Sequence, residues 1–135
     1  MKFKILGFVF LLGFSCLQSF AQLMDGQPAV FTQKDSLRGT LSNFRNCYDV
    51  TYYHLAVKIN IDAKTIQGSN SISFKCLSDF EEIQIDLFEN LNIDQILFQG
   101  KALTFKRVYN AVFVKFPNKL LKGQQEKITV FYSGA

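Results

Sequence analysis

The sequence contains no Trp, one His and two Pro. A lone His excludes any metal centre that needs two imidazole ligands. So little Pro, beside 15 Phe, excludes a disordered or low-complexity chain. Only 19% of residues are charged, and there is no Gly-rich phosphate loop, no nucleophile elbow and no H-E-x-x-H pair. The chain therefore carries no recognisable catalytic motif. Its 135 residues amount to one domain at most.

What is present begins with a leader. Lys2 and Lys4 form a short basic region, and Ile5 to Leu17 follow without a charge. Ser19-Phe20-Ala21 then offers the small-x-small pattern read by signal peptidase, which places cleavage after Ala21 and a mature N-terminus at Gln22. The apolar run is too short for a membrane-spanning helix, which needs about 20 residues, so no transmembrane anchor is expected. Lipidation at Cys16 is the alternative, but Gly13-Phe14-Ser15-Cys16 lacks the usual Leu three residues before the cysteine. Residues 1–21 thus read as a signal peptide, and the product as exported: periplasmic, outer-surface or extracellular. Cleavage removes Lys2 and Lys4, half of the formal charge of +4. The remaining basic balance says little about nucleic acid, and no nucleic-acid partner is expected.

Residues 22–46 show no sustained period and are punctuated by Gly26, Pro28, Gly39, Ser42 and Asn43, which predicts an irregular N-terminal arm. From Tyr48 the pattern changes. Thr51, Tyr53, Leu55, Val57, Ile59 and Ile61 alternate with Tyr52, His54, Lys58 and Asn60, the period of a half-buried strand. After a turn at Asp62-Ala63-Lys64, Ile66, Ile72, Phe74 and Cys76 alternate with polar residues and pair back as a hairpin. Further strands are predicted at 82–88, 93–98, 103–108, 111–116 (stopped by Pro117) and 127–132, with 119–125 as a polar connection. No apolar stripe of helical period follows residue 22. The fold class is all-β: an antiparallel β-sandwich of about seven strands spanning 47–135, incomplete as it stands.

The chemistry-bearing residues are few. His54 falls on the polar face of the first strand and reads as an exposed or cross-strand-paired imidazole. Asp79, Glu81 and Glu82 gather where a strand begins; a hard cation such as Ca²⁺ wants about six or more oxygens in a shaped loop, so they read as a solvated turn. Asp86 has no apparent carboxylate partner for acid–base work. Lys115, Lys119, Lys122 and Lys127 spread around a turn as a solvated rim. Cys47 and Cys76 remain after cleavage. Export permits a disulfide between them, and a buried thiol also fits Cys76 in its apolar strand. Neither has a second ligand at metal spacing. No catalytic, cofactor-binding or metal residue is assigned.

The strands also carry a resemblance. Tyr48-Asp49-Val50-Thr51-Tyr52-Tyr53-His54-Leu55, a turn, and Thr65-Ile66-Gln67-Gly68-Ser69-Asn70-Ser71-Ile72-Ser73-Phe74 resemble the opening hairpin of the M1 family of zinc aminopeptidases. Members begin with a Tyr-x-Leu strand, a short turn and x-G-x-x-x-I-x-F. Ile83-Gln84-Ile85-Asp86-Leu87 resembles the family's next strand, and Ile128-Thr129-Val130-Phe131-Tyr132-Ser133-Gly134 the later strand ending in Tyr-x-Gly. The likeness runs from Tyr48 to Gly134.

That resemblance implies the N-terminal β domain of an enzyme that removes N-terminal residues from peptides. Family members use Zn²⁺ held by H-E-x-x-H and a downstream Glu in a following catalytic domain, and a G-x-M-E-N strand binds the substrate amine. None of these motifs stands in this sequence. The family's substrate-contacting Gln sits in a T-Q-x-E segment beyond the Tyr-x-Gly strand, whereas Thr32-Gln33-Lys34 comes too early and lacks the Glu. No functional residue is carried over. The expected partner is the missing catalytic domain, with zinc and peptide substrate reached only through it, and the chain alone should be inactive. A truncated sheet would leave an open edge and an uncovered apolar face, so the isolated mature chain is expected to be marginally stable and to self-associate. The competing reading is a free-standing exported β-sandwich for binding or adhesion, whose likeness to the peptidases is architectural only.

Overall fold

The structure is a computed structural model describing residues 30–135. The expected signal segment 1–21, with Cys16 and the Ala21 cleavage point, lies outside the described residues, as does the start of the arm. The chain divides into Met1–Phe31 and Thr32–Ala135, and the second unit holds all the described regular structure.

That unit opens with two short helices, α1 (Gln33–Gly39) and α2 (Asn43–Asn46). The arm expected to be irregular is therefore helical in part. A capping box starts α1: the Thr32 hydroxyl accepts from the Asp35 backbone N–H, and the Asp35 carboxylate accepts from the Thr32 N–H. Neither helix buries a residue, so no apolar stripe marks them in the sequence.

Eight strands follow: β1 (Tyr48–Asn60), β2 (Thr65–Cys76), β3 (Phe80–Asp86), β4 (Leu91–Phe98), β5 (Lys101–Ala102), β6 (Thr104–Val108), β7 (Ala111–Leu120) and β8 (Gln125–Gly134). They form a five-stranded sheet of order β1-β2-β8-β4-β5 and a three-stranded sheet of order β3-β7-β6. Every pairing is antiparallel. The expected hairpin is β1–β2, running from Tyr48 opposite Cys76 to Asn60 opposite Thr65. The strand beyond the expected seven is β5. Gln99 and Gly100 both take positive φ, 50° and 78°, which turns Lys101 and Ala102 back onto Phe98 and Leu97.

Pro117 does not stop its strand; β7 continues to Leu120. The β3–β7 register shifts between Phe80 and Glu82, moving from Leu120 to Lys115, so Pro117 sits in the irregular stretch where no ladder N–H is needed.

The core lies between the sheets. Phe74, Ile72, Ile96, Phe98, Ile128 and Val130 from the larger sheet meet Ile83, Ile85, Val112, Val114 and Phe116 from the smaller one. Phe116 packs edge-on against Phe98 at 5.1 Å between centroids, and Phe74 contacts Tyr48, Phe80 and Phe116. The expected half-burial of the first strand fails beyond Val50. The alternation is present, but residues 51–60 are all exposed, with Leu55 at 62% and Ile59 at 68%. The smaller sheet covers the β2 and β8 side of the larger one and leaves the far end of β1 bare.

Candidate functional site

A polar cluster forms the seam where the helical arm meets β3. Gln84 alternates outward from Ile83 and Ile85, yet it is 2% exposed because the arm covers it from the other side. Its Nε2 donates to the Leu37 carbonyl at 2.9 Å and to Asp86 Oδ1 at 3.3 Å. Arg45, at the end of α2, donates to the same Leu37 carbonyl at 2.9 Å and pairs with Asp86 Oδ2. The Tyr48 hydroxyl donates to the Gln84 carbonyl at 2.7 Å. Burial pushes the Tyr48 phenol up to about 12, with Tyr53 adding to the shift, so it remains a hydrogen-bond donor. Ser42 Oγ and Arg45 Nε are buried here without a partner.

This arrangement holds rather than reacts. The Asp86 carboxylate is occupied by Arg45 and Gln84, and the phenol stays protonated. A second tie joins the arm to the loop after β3. Lys34 Nζ lies 2.8 Å from Glu89 Oε1 and 5.7 Å from the Tyr109 ring, and it holds the Glu89 carboxyl below its usual range. Arg107 locks that loop from β6, donating to the carbonyls of Leu87, Phe88, Leu91 and Tyr109. A sequence signal for the seam existed in the Thr32-x-x-Asp35 spacing. Gln84 itself gave none, because a polar residue between two Ile reads as solvent-facing.

A groove of about 790 Å³ lies between the sheets, near β5 and the bulged half of β7. Phe98, Leu103, Phe116 and Leu120 line it, with Lys101, Lys119 and Glu126 among its polar residues. It offers apolar surface and charge but no nucleophile paired with a base.

The residues singled out from the sequence do not converge. His54 is exposed on β1 opposite Ser71. Asp79 accepts from the Lys122 backbone N–H at 2.9 Å, capping the turn before β8, while Glu81 is exposed and Glu82 half-buried. Lys115, Lys119, Lys122 and Lys127 are all exposed. Cys47 and Cys76 are both buried free thiols in the same core cluster, and burial raises both above the ordinary thiol range. Among the described residues, no three His, Cys, Asp or Glu side chains gather as a group able to hold a metal ion. The zinc implied by the resemblance finds no fitting ligand set among them.

No family model matches the sequence, and no curated protein matches it. Solved structures do match. A glutamate-to-alanine mutant of the M1 zinc metallopeptidase from Deinococcus radiodurans is similar over 67% of this chain and 21% of its own, at 17% identity and a TM-score of 0.60. The same mutant bound to a Tyr-Ser-Ala substrate gives 0.61 over the same shares, also at 17% identity. A two-domain M1 zinc metallopeptidase mutant bound to L-arginine gives 0.59 at 18% identity, covering 67% of this chain and 21% of that one. The fold is thus that of a part of the M1 zinc metallopeptidases, as the Tyr48–Gly134 strands suggested. This chain spans about one-fifth of the length of the structures it matches.

Proposed function

We propose that this chain is the N-terminal, non-catalytic β domain of an exported M1-like zinc aminopeptidase. The carrying observation is the fold likeness, which spans two-thirds of this chain but only 21% of the peptidase. In this reading zinc and the peptide's free N-terminus are bound by a separate catalytic domain. The β domain packs against that domain and helps to define access to it. Its own residues take no proton and bind no metal; the Arg45–Gln84–Asp86 seam fixes the arm on the sheet. Export rests on the basic, apolar and small-x-small succession of residues 2–21.

The reading frame downstream and an activity assay test this together. H-E-x-x-H within the next few hundred codons, with aminoacyl-anilide hydrolysis by the joined product and none by this chain alone, is the expected result. Hydrolysis by the chain alone overturns the proposal. A stop codon with no peptidase domain nearby also overturns it and leaves a free-standing binding module. Mass spectrometry of the secreted product should find Gln22 at the N-terminus; an intact Met1 or a diacylglycerol on Cys16 removes the export route described.

A further inference from the structure

Four strands form the outer edges of the two sheets: β1 and β5 in one, β3 and β6 in the other. Three of them are protected in the ways that prevent edge pairing. β5 is two residues long. β3 carries Glu81, Glu82 and Asp86 and is overlaid by α2 through Arg45. β6 is five residues long and bears Lys106 and Arg107. β1 has none of these protections. It is 13 residues long, contains no Pro, and between Asp49 and Lys58 holds no Asp, Glu, Lys or Arg. Among the described residues no strand pairs with its outer side.

The pleat and the bulge of β1 also make it complementary to itself. Tyr48 and Val50 face the core side. The register with β2 skips Thr51, so beyond the bulge Tyr53, Leu55, Val57 and Ile59 continue on that side. Asp49, Tyr52, His54, Ala56 and Lys58 lie on the opposite face. Two copies placed antiparallel, edge to edge, with the two-fold axis at His54, bring Tyr53 opposite Leu55, Val50 opposite Val57 and Tyr48 opposite Ile59. On the other face, Tyr52 meets Ala56 and Asp49 meets Lys58, twice by symmetry. Thr51 is passed over, as it is against β2. Without that bulge, Asp49 and Lys58 would point to opposite faces and could not meet.

We propose that β1 is a homodimerisation edge: two copies of this chain join their five-stranded sheets through antiparallel β1–β1 pairing centred on His54, with Asp49 of each copy opposite Lys58 of the other. The pairing satisfies the free edge of β1 and brings the two bare apolar stretches together on one side of a continuous sheet. Charge complementarity at both ends fixes the register, and a second copy is the occupant. The proposal is independent of the peptidase reading.

The test uses the full chain, expressed with its own N-terminal segment and purified as the host processes it. Sedimentation analysis should find a concentration-dependent monomer–dimer equilibrium. Asp49→Lys or Lys58→Asp alone should weaken the dimer about tenfold or more, since each places like charges at two symmetric positions, and the double reversal should restore it. Circular dichroism confirms that the variants remain folded. A second measurement needs no variant: carbodiimide treatment condenses a carboxylate with an amine into an amide, the carbodiimide taking up the water lost. Asp49 and Lys58 of one strand are nine positions apart, about 30 Å at about 3.3 Å per residue. An Asp49–Lys58 amide found by mass spectrometry therefore joins two copies, while an Asp49–Lys75 amide, between cross-strand neighbours, controls for reaction within one copy. A chain that stays monomeric at high concentration overturns the proposal. So does an oligomer that ignores both reversals, or a dimer without the Asp49–Lys58 link.

Discussion

The two halves of the five-stranded sheet share one pattern and differ in what lies over it. On the β2 and β8 side, Phe74, Ile96 and Ile128 are 1% exposed or less, closed in by Ile83, Val112 and Val114 of the smaller sheet. On β1, Leu55, Val57 and Ile59 follow the same alternation into the same face and stay 45–68% exposed. Alternation specifies which face of a strand is apolar; it does not specify that anything covers it. The energetic consequence is unequal, because burial stabilises in proportion to apolar area removed from water. The covered half holds the stability of the domain and the bare half holds its capacity to associate.

The largest test of that contrast is Phe74→Ala. It removes the ring that contacts Tyr48, Phe80 and Phe116, and chemical denaturation should show a loss of about 3–5 kcal/mol. Tyr48 gives a second test at the covered end. Its folded pKa lies near 12, above the unfolded value of about 10, so its protonated form contributes stability that is complete below pH 10. That contribution is lost as pH rises from about 10 through 12, and amounts to about 2–3 kcal/mol. Tyr48→Phe should flatten this part of the alkaline unfolding curve; an unchanged curve would mean the phenol is not held as described.

Gly68 sharpens the comparison from the bare side. A Cβ there would lie 2.3 Å from the Ala56 carbonyl oxygen and 3.0 Å from the Tyr132 hydroxyl. Gly68→Ala should therefore lower stability by about 1–3 kcal/mol in thermal unfolding, although its partner on β1, Val57, is 45% exposed. The bare half is open in its side chains and tight in its backbone. At concentrations low enough to keep the chain monomeric, Leu55→Ser should have the smallest effect, within about 0.5 kcal/mol of wild type in chemical denaturation. A large loss there would show that Leu55 is covered after all.

How much of this was legible follows from the same distinction. The β1–β2 hairpin, the inward Ile83 and Ile85 and the final strand could be read because period-two alternation is a local property. The capping box at Thr32 and Asp35 was local too, but a seven-residue helix with no apolar stripe gives a weak pattern. Three features were not local. Gln84 is buried by an arm from elsewhere in the sequence, Pro117 continues its strand because it sits in the bulged stretch of β7, out of register with β3, and the exposure of Leu55 depends on how far the smaller sheet reaches. The seam residues Arg45, Gln84 and Asp86 come from separate elements and meet only when the sandwich closes. Asp86 reads from the sequence as lacking a carboxylate partner for acid–base work; in the fold it pairs with the Arg45 guanidinium and accepts from Gln84.

The position of β8 bears on how the chain reaches this state. It lies between β2 and β4, pairing Ile128 with Ile72 on one side and with Phe98 on the other. During synthesis, therefore, the β1–β2 hairpin and β4 have no strand between them until residues 125–134 have been made. A lone hairpin is at best marginally stable in water, so the larger sheet has no native intermediate to rest in. Its assembly waits for a pairing between segments distant along the chain, the kind of contact that makes β proteins fold slowly. Ribosome-bound chains halted before residue 125 should accordingly stay protease-sensitive along β1, β2 and β4. The central strand of the sheet is also the one that decides when folding begins.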